Sequence, residues 1–188
     1  PDWAALQLDA KNAFNEVYRS AILEATATHF PTLLPLAEAC FRRHAVLGWR
    51  GPTGEYRYVS SQQGTQQGDP LGPFFMSLPM QSILEDTLVA VPDVYIIAYI
   101  DDVHVVGPPE SVRAAYDVLI PKLAAIGLHI NVGKSKVYSP EGPVVEFSDI
   151  VYGEGEVQEF FPGSILPVDG LRVLGAPVGS RDFEVDFC

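Results

Sequence analysis

The chain alternates between short apolar runs and longer stretches in which apolar side chains recur every three or four positions. Leu6 to Leu8 reads as a short buried strand. Behind it, Tyr18, Ile22 and Ala25 recur at helical spacing with Asn15 placed as an N-cap, and Pro31 ends that helix. Leu33, Leu36, Ala37 and Cys40 predict a second helix, with Gly48 as its stop signal. From Trp49 to Ser60 a Pro-Thr-Gly turn followed by alternation at Tyr56 and Tyr58 predicts a hairpin. The polar, glycine-rich segment Ser61 to Pro73 then opens a third helix carrying Phe74, Phe75, Leu78 and Ile83, with Pro79 as a kink point.

Val94 to Ile100 is a strongly apolar strand that Asp101 and Asp102 interrupt, and Val103 to Val106 resumes the extended pattern: a hairpin with two acids at its tip. Val112, Ala115, Tyr116, Leu119, Leu123 and Ile126 predict a fourth helix, started by Pro109 and ended by Gly127. Short strands are expected over Leu128–Asn131 and Lys136–Tyr138, and a last strand pair over Leu171–Leu174 and Glu184–Phe187; residues 139–170 carry no clear signal. This order predicts an α+β fold, an antiparallel sheet backed by helices in a split βαβ, ferredoxin-like arrangement. One domain over residues 1–188 accommodates it.

Composition narrows the class. With 47% hydrophobic and 11% aromatic residues the chain can bury a core, which excludes a disordered or low-complexity protein. Its most apolar short run is far below the roughly 20 residues that cross a bilayer, and no charged segment followed by an apolar stretch opens it. An intracellular protein, nuclear or cytoplasmic and not secreted, is the expectation. Cys40 and Cys188 lie far apart and form neither a disulfide framework nor a metal-ligand spacing. The net charge of −12 argues against a phosphate-bearing partner held by this chain alone. The start at Pro1, without Met, reads as a fragment of a longer protein.

The carboxylates change the picture. Two adjacent aspartates at the tip of an apolar hairpin repel each other, and no Lys or Arg stands next to them in sequence. A divalent cation resolves that conflict, and paired ions of this type drive phosphoryl transfer. Asp9, at the end of the first apolar strand, is a third acid that reaches the same sheet edge if its strand lies beside the Asp101 hairpin.

The segments LDAKNAF, QQGTQQGDPLGP and AYIDDVHVVG, in this order, resemble the first three palm motifs of reverse transcriptases. Gly64 to Leu71 reads GTQQGDPL, a wording similar to that of non-LTR, LINE-like retrotransposons. GLHINVGKSKV resembles the lysine-bearing fourth motif and LRVLGAPVG the fifth. Departures are Ile100 for the more frequent Ala, Gly72 for Ser and Asn15 for Asp.

The resemblance implies an RNA-directed DNA polymerase, a palm with part of the fingers, the upstream fingers and downstream thumb being absent from the chain. It implies Asp9, Asp101 and Asp102 as ligands of two Mg²⁺ ions, with Mn²⁺ able to substitute, and the Ala10 carbonyl as a further ligand beside the substrate. Lys134 resembles the lysine that protonates or neutralises the pyrophosphate leaving group, with Lys136 facing the same side of a strand. Phe14, five residues after Asp9, resembles the ring that excludes a 2′ hydroxyl and so favours dNTPs. Gln67 and Gly68 resemble template- and nucleotide-contacting residues, Tyr99 a packing support beside the aspartates, and Leu174-Gly175 the primer grip. RNA template, DNA primer and dNTPs are the implied partners; oligomeric state is left open. His44, His104 and His129 fit no metal spacing. Two alternatives stay open: a catalytically inactive nucleic-acid-binding relic, and an RNA-directed RNA polymerase, which Phe14 disfavours.

Overall fold

A computed structural model describes residues 2–66, 68–142, 144–151, 166–173 and 176–187. The first strand, β1 (Ala4–Leu8), leads through a turn into two helices, α1 (Ala13–Glu16) and α2 (Arg19–His29), and then α3 (Leu34–Phe41). A hairpin, β2 (Ala45–Arg50) and β3 (Tyr56–Ser61), precedes the long helix α4 (Gly72–Ala90). β4 (Tyr95–Tyr99) and β5 (Asp102–Gly107) form the second hairpin, followed by α5 (Pro109–Ala125) and β6 (Lys136–Tyr138). The remainder comprises α6 (Ser148–Val151), β7 (Leu166–Pro167), a hairpin of β8 (Gly170–Val173) and β9 (Ala176–Gly179), and α7 (Arg181–Phe187).

The main sheet has the order β4-β5-β1-β6-β7. Its first four strands are antiparallel neighbours, while β6 and β7 pair in parallel. Because β5 lies between β4 and β1, and β1 between β5 and β6, each strand–helix–strand unit is split by a strand of the other. This is the expected ferredoxin-like arrangement.

The alternation of β1 explains how the sheet meets its helices. Leu6 and Leu8 point to the same face as Val103 and Val105 of β5, where they pack with Phe75, Met76 and Met80 of α4 and with Ala115, Leu119 and Leu123 of α5. The opposite face carries Gln7 from β1 and Asp9 just beyond its end, Asp102 and His104 from β5, and Lys136 from β6. Core packing thus turns one set of side chains inward and leaves the chemistry-bearing set on the other side.

Several local expectations are corrected. Asn15 lies inside α1 and does not cap the helix carrying Ile22 and Ala25, which is α2 and starts after Tyr18; α1 itself starts after Asn12, held in the left-handed region at φ 45°, which Asn tolerates better than most residues. Gly48 does not stop a helix but pairs with Tyr58 in the β2–β3 hairpin. The Tyr58 ring sits 3.0 Å from where a Cβ at Gly48 would stand, so cross-strand packing overrides the helix-stop signal. Around Pro79, α4 runs unbroken through a buried position. Leu128–Asn131 contributes a single bridge, Ala10 with Ile130, rather than a strand. β8 pairs with β9, and Glu184–Phe187 is helical within α7: a short apolar run does not by itself distinguish strand from helix.

Candidate active site

The β1–β5 register brings the acids together. Leu8 pairs with Val103, and one step beyond that pair lie Asp9 and Asp102. Asp102 in turn pairs with Tyr99 across the second hairpin. Ile100 and Asp101 form its two-residue turn, so Asp101 is at the tip, beside the end of β1. Ile100 has φ 59°, a conformation that costs a β-branched residue free energy, and its side chain is packed against the core that holds it there.

The end of β1 is clamped to the turn before β6. The Asp9 amide donates to Ser135 Oγ at 3.2 Å, that hydroxyl donates to the Asn131 carbonyl at 3.0 Å, and the Asn131 amide donates to the Asp9 carbonyl at 2.7 Å. The Lys11 amide adds a bond to the His129 carbonyl at 2.8 Å. Ser135 is fully buried. Lys134 is exposed on this turn and not in a strand, so it and Lys136 do not stand on one strand face as the sequence implied. Asn131 and Ser135 were not legible as site residues, since a serine between two lysines looks like ordinary loop.

Electrostatics confirm that these groups share one region. Burial raises the Asp9 carboxyl above its ordinary value; the Lys134 ammonium opposes this, and the Asp101 and Asp102 carboxylates add to the rise. Three acids and one cation therefore act on a common volume at the sheet edge. Among the described residues no group of three or more His, Cys, Asp or Glu side chains could hold one ion. The donor set, hard carboxylate oxygens whose mutual repulsion Lys134 offsets only in part, nevertheless fits a hard divalent cation.

Next to the acids, the polar loop docks on α1. The Thr65 amide donates to the Phe14 carbonyl at 2.6 Å and the Gly64 amide to the Val17 carbonyl at 2.9 Å. Gly64 has φ 69°, and a Cβ there would collide with the Phe14 carbonyl oxygen and the Asn15 backbone, so this position requires glycine. Phe14 is half-buried, packed partly on the core. Farther along, the Leu71 amide donates to Asp69 Oδ1 at 2.9 Å, an Asx turn that leads into α4. Gly68 is exposed with φ 91°. Gln67 lies outside the described residues, as do Leu174 and Gly175.

Arg19 is the functional neighbour that sequence reasoning missed, because an arginine in a helix reads as surface. It is buried, and its guanidinium donates to the Gly64 carbonyl at 3.0 Å, the Ser61 carbonyl at 3.0 Å, Ser61 Oγ at 3.1 Å and the Arg43 carbonyl at 3.2 Å. Burial without a carboxylate partner lowers its pKa. It joins α2, the loop and the base of the β2–β3 hairpin.

Other site residues fall as follows. Ala10 is half-buried and bridges to Ile130. Tyr99 is 58% exposed on the open face, which corrects its expected role as packing support. His104, buried opposite Gln7, has Nε2 unpartnered, as is Gln7 Oε1; burial pulls its pKa down while Asp102 pulls it up.

An aspartate at a strand end, beside an Asp-Asp hairpin on a split βαβ sheet with two helices behind it, defines the palm of a nucleic-acid polymerase. Residues 1–178 match the reverse transcriptase (RNA-dependent DNA polymerase) family, and the chain belongs to it. It is 31% identical over 141 residues to the retrotransposable element SLACS 132 kDa protein of Trypanosoma brucei gambiense, covering 72% of this chain but 12% of that protein's length. In fold it is similar to telomerase of Candida albicans, solved with a fragment of telomeric RNA: TM-score 0.68, 12% identity, 97% of this chain and 31% of that one. Apo telomerase of Candida tropicalis, truncated of its C-terminal domain, gives a TM-score of 0.66 at 14% identity over 95% of this chain and 34% of its own. No helix among the described residues is long and apolar enough to cross a membrane.

Proposed function

We propose that this chain is the palm, with part of the fingers, of an RNA-directed DNA polymerase from a LINE-like retroelement. The observation that carries the reading is the strand register that sets Asp9 beside Asp102, with Asp101 at the tip of the same hairpin. Family membership supports a divalent-metal enzyme. Asp9 and Asp101 would hold the Mg²⁺ ions, with Asp102 as the outer carboxylate and the Ala10 carbonyl beside them. Such ions, when bound, supply charge neutralisation at the transferring phosphoryl group.

The chain's own residues then position the reactants. The primer 3′ hydroxyl gives its proton to solvent water and its oxygen bonds to the α-phosphorus of the incoming nucleotide, while the bond to the bridging oxygen of pyrophosphate breaks. Lys134, exposed beside the acids, neutralises or protonates that leaving group. Phe14, fixed through Gly64 and Thr65, lies beneath the sugar and disfavours a 2′ hydroxyl. Gln67 and Gly68 meet the template and nucleotide, and Leu174-Gly175 grips the primer. The expected substrates are an RNA template, a DNA primer and dNTPs.

The test is primer extension on an RNA template by the full-length protein with Mg²⁺, comparing dNTPs with NTPs. Extension with dNTPs that Asp101→Asn abolishes supports the reading. A folded protein that binds RNA but extends nothing overturns it in favour of a binding relic, and a preference for NTPs overturns it in favour of an RNA polymerase.

A further inference from the structure

The β2–β3 hairpin stands apart from the acidic remainder of the chain. Two of the chain's 12 Lys and Arg residues, Arg50 and Arg57, lie in this hairpin and two more, Arg42 and Arg43, just before it, with Glu55 the one acid from Arg42 to Ser61, although the whole chain carries −12. Neither strand is buried on either face. The register places Arg50 opposite Tyr56 and Gly48 opposite Tyr58 on one face, and Trp49 opposite Arg57 on the other. Tyr56 and Tyr58 are 66% and 68% exposed, with rings parallel to within 17° and centroids 6.4 Å apart. Gly48 leaves room for the Tyr58 ring against the strand. Arg57 is paired with Glu55 at 3.1 Å, whereas Arg43 and Arg50 have no carboxylate partner among the described residues.

We propose that this hairpin is a docking surface for single-stranded RNA, whose bases stack on Tyr56 and Tyr58 while Arg50, on the same face, meets the phosphates. Exposed aromatic faces interleaved with cations are what an unpaired strand requires, because every base has a π-face and every nucleotide a phosphate. The position fits as well. At the hairpin base a cleft of about 580 Å³ is lined by the polar side chains of Asn15, His44, Ser60, Ser61, Gln62 and Gln63. It runs from the hairpin base to Asn15 of α1, the neighbour of Phe14, and Arg19 of α2 ties that base to the polar loop. The assignment of RNA, rather than DNA, rests on the template named in the proposed function.

The test is fluorescence anisotropy of a labelled oligouridylate with the full-length protein in EDTA, so that catalysis plays no part. Tyr56→Ala with Tyr58→Ala is expected to weaken binding about tenfold or more, while Tyr58→Phe, which keeps the ring, binds as the parent does. Arg50→Ala, at an exposed position, is expected to flatten the salt dependence by about 0.7 in log–log slope, and this arm stands should the double tyrosine variant fail to fold. Unchanged RNA binding by these variants overturns the proposal. So does equal loss with Tyr58→Phe, tighter binding of the matching DNA strand, or a changed sedimentation coefficient without loss of RNA, which marks a protein interface. Asp101→Asn, measured alongside, is expected to bind RNA normally and lose extension. Failure of the polymerase reading is thereby separated from failure of the hairpin.

Discussion

Asp9 and Ser135 lie 126 positions apart in sequence and are joined by a 3.2 Å hydrogen bond from the Asp9 amide to the Ser135 hydroxyl. That bond, with the reciprocal Asn131–Asp9 backbone bond, sets where the first carboxylate leaves the sheet and where Lys134 meets it. Ser135→Ala removes the acceptor from a buried amide. The expected cost is about 1–2 kcal/mol in chemical denaturation, with a fall in the rate of nucleotide addition and unchanged RNA affinity. Equal rates in mutant and parent would show that the clamp does not position the site.

Asp9 also links charge to stability. The fold raises its carboxyl above the ordinary value of 3.8, so the folded state holds that proton more tightly than the unfolded chain does. Ionisation then opposes folding: stability falls as pH rises through this acid window, and the penalty persists at neutral pH. Asp9→Asn is expected to raise the metal-free melting temperature at pH 7 by about 1–3 °C, while lowering extension at least about a hundredfold. Adding Mg²⁺ should raise the melting temperature of the parent and leave that of Asp9→Asn nearly unmoved, as read by calorimetry.

Gly64 is expected to tolerate no side chain. With φ 69° and the Phe14 carbonyl in the path of a Cβ, Gly64→Ala must push the polar loop off α1. A loss of about 2–4 kcal/mol in urea titration is expected. A fully stable alanine variant would show that the loop is not docked as described.

Arg19→Met keeps the length of the side chain and deletes its bonds to Gly64, Ser61 and Arg43. About 3 kcal/mol is expected to be lost, because the carbonyls at the hairpin base are left without their donor. Hydrogen exchange should rise in β2–β3 and in the loop before it rises in β1. Uniform protection across the chain would contradict this link.

For Phe14 the readout is the ratio of kcat/KM for dNTPs over NTPs. Phe14→Val is expected to lower that ratio at least about tenfold by admitting the 2′ hydroxyl, with a stability loss of about 1 kcal/mol from the part of the ring that packs on the core. A stability loss with the ratio unchanged would leave Phe14 as a core residue alone.

Much of this site was legible in the chain because its signals are local. The apolar run that ends at Asp9 and the interrupted run at Asp101-Asp102 each announce a strand end with an acid, and the glycine-rich loop announces a close backbone approach. Gly48, by contrast, carries one local meaning, a helix stop, and another once Tyr58 lies across it in a hairpin. Arg19 and Ser135 were silent for a similar reason. Their partners are 24, 42 and 45 positions away for Arg19 and 126 for Ser135, and no spacing rule reaches that far.

By itself the sequence determined the alternation that makes an antiparallel sheet backed by helices, and the acids that sit at its strand ends, since periodicity and turn chemistry act between near neighbours. Only the tertiary structure decided that β1 lies between β5 and β6 in a register that sets Asp9 beside Asp102, with Lys134 brought up by a buried serine. Register is a collective outcome of packing Leu6 and Leu8 against two helices, and a slip of one residue would turn Asp9 into the core.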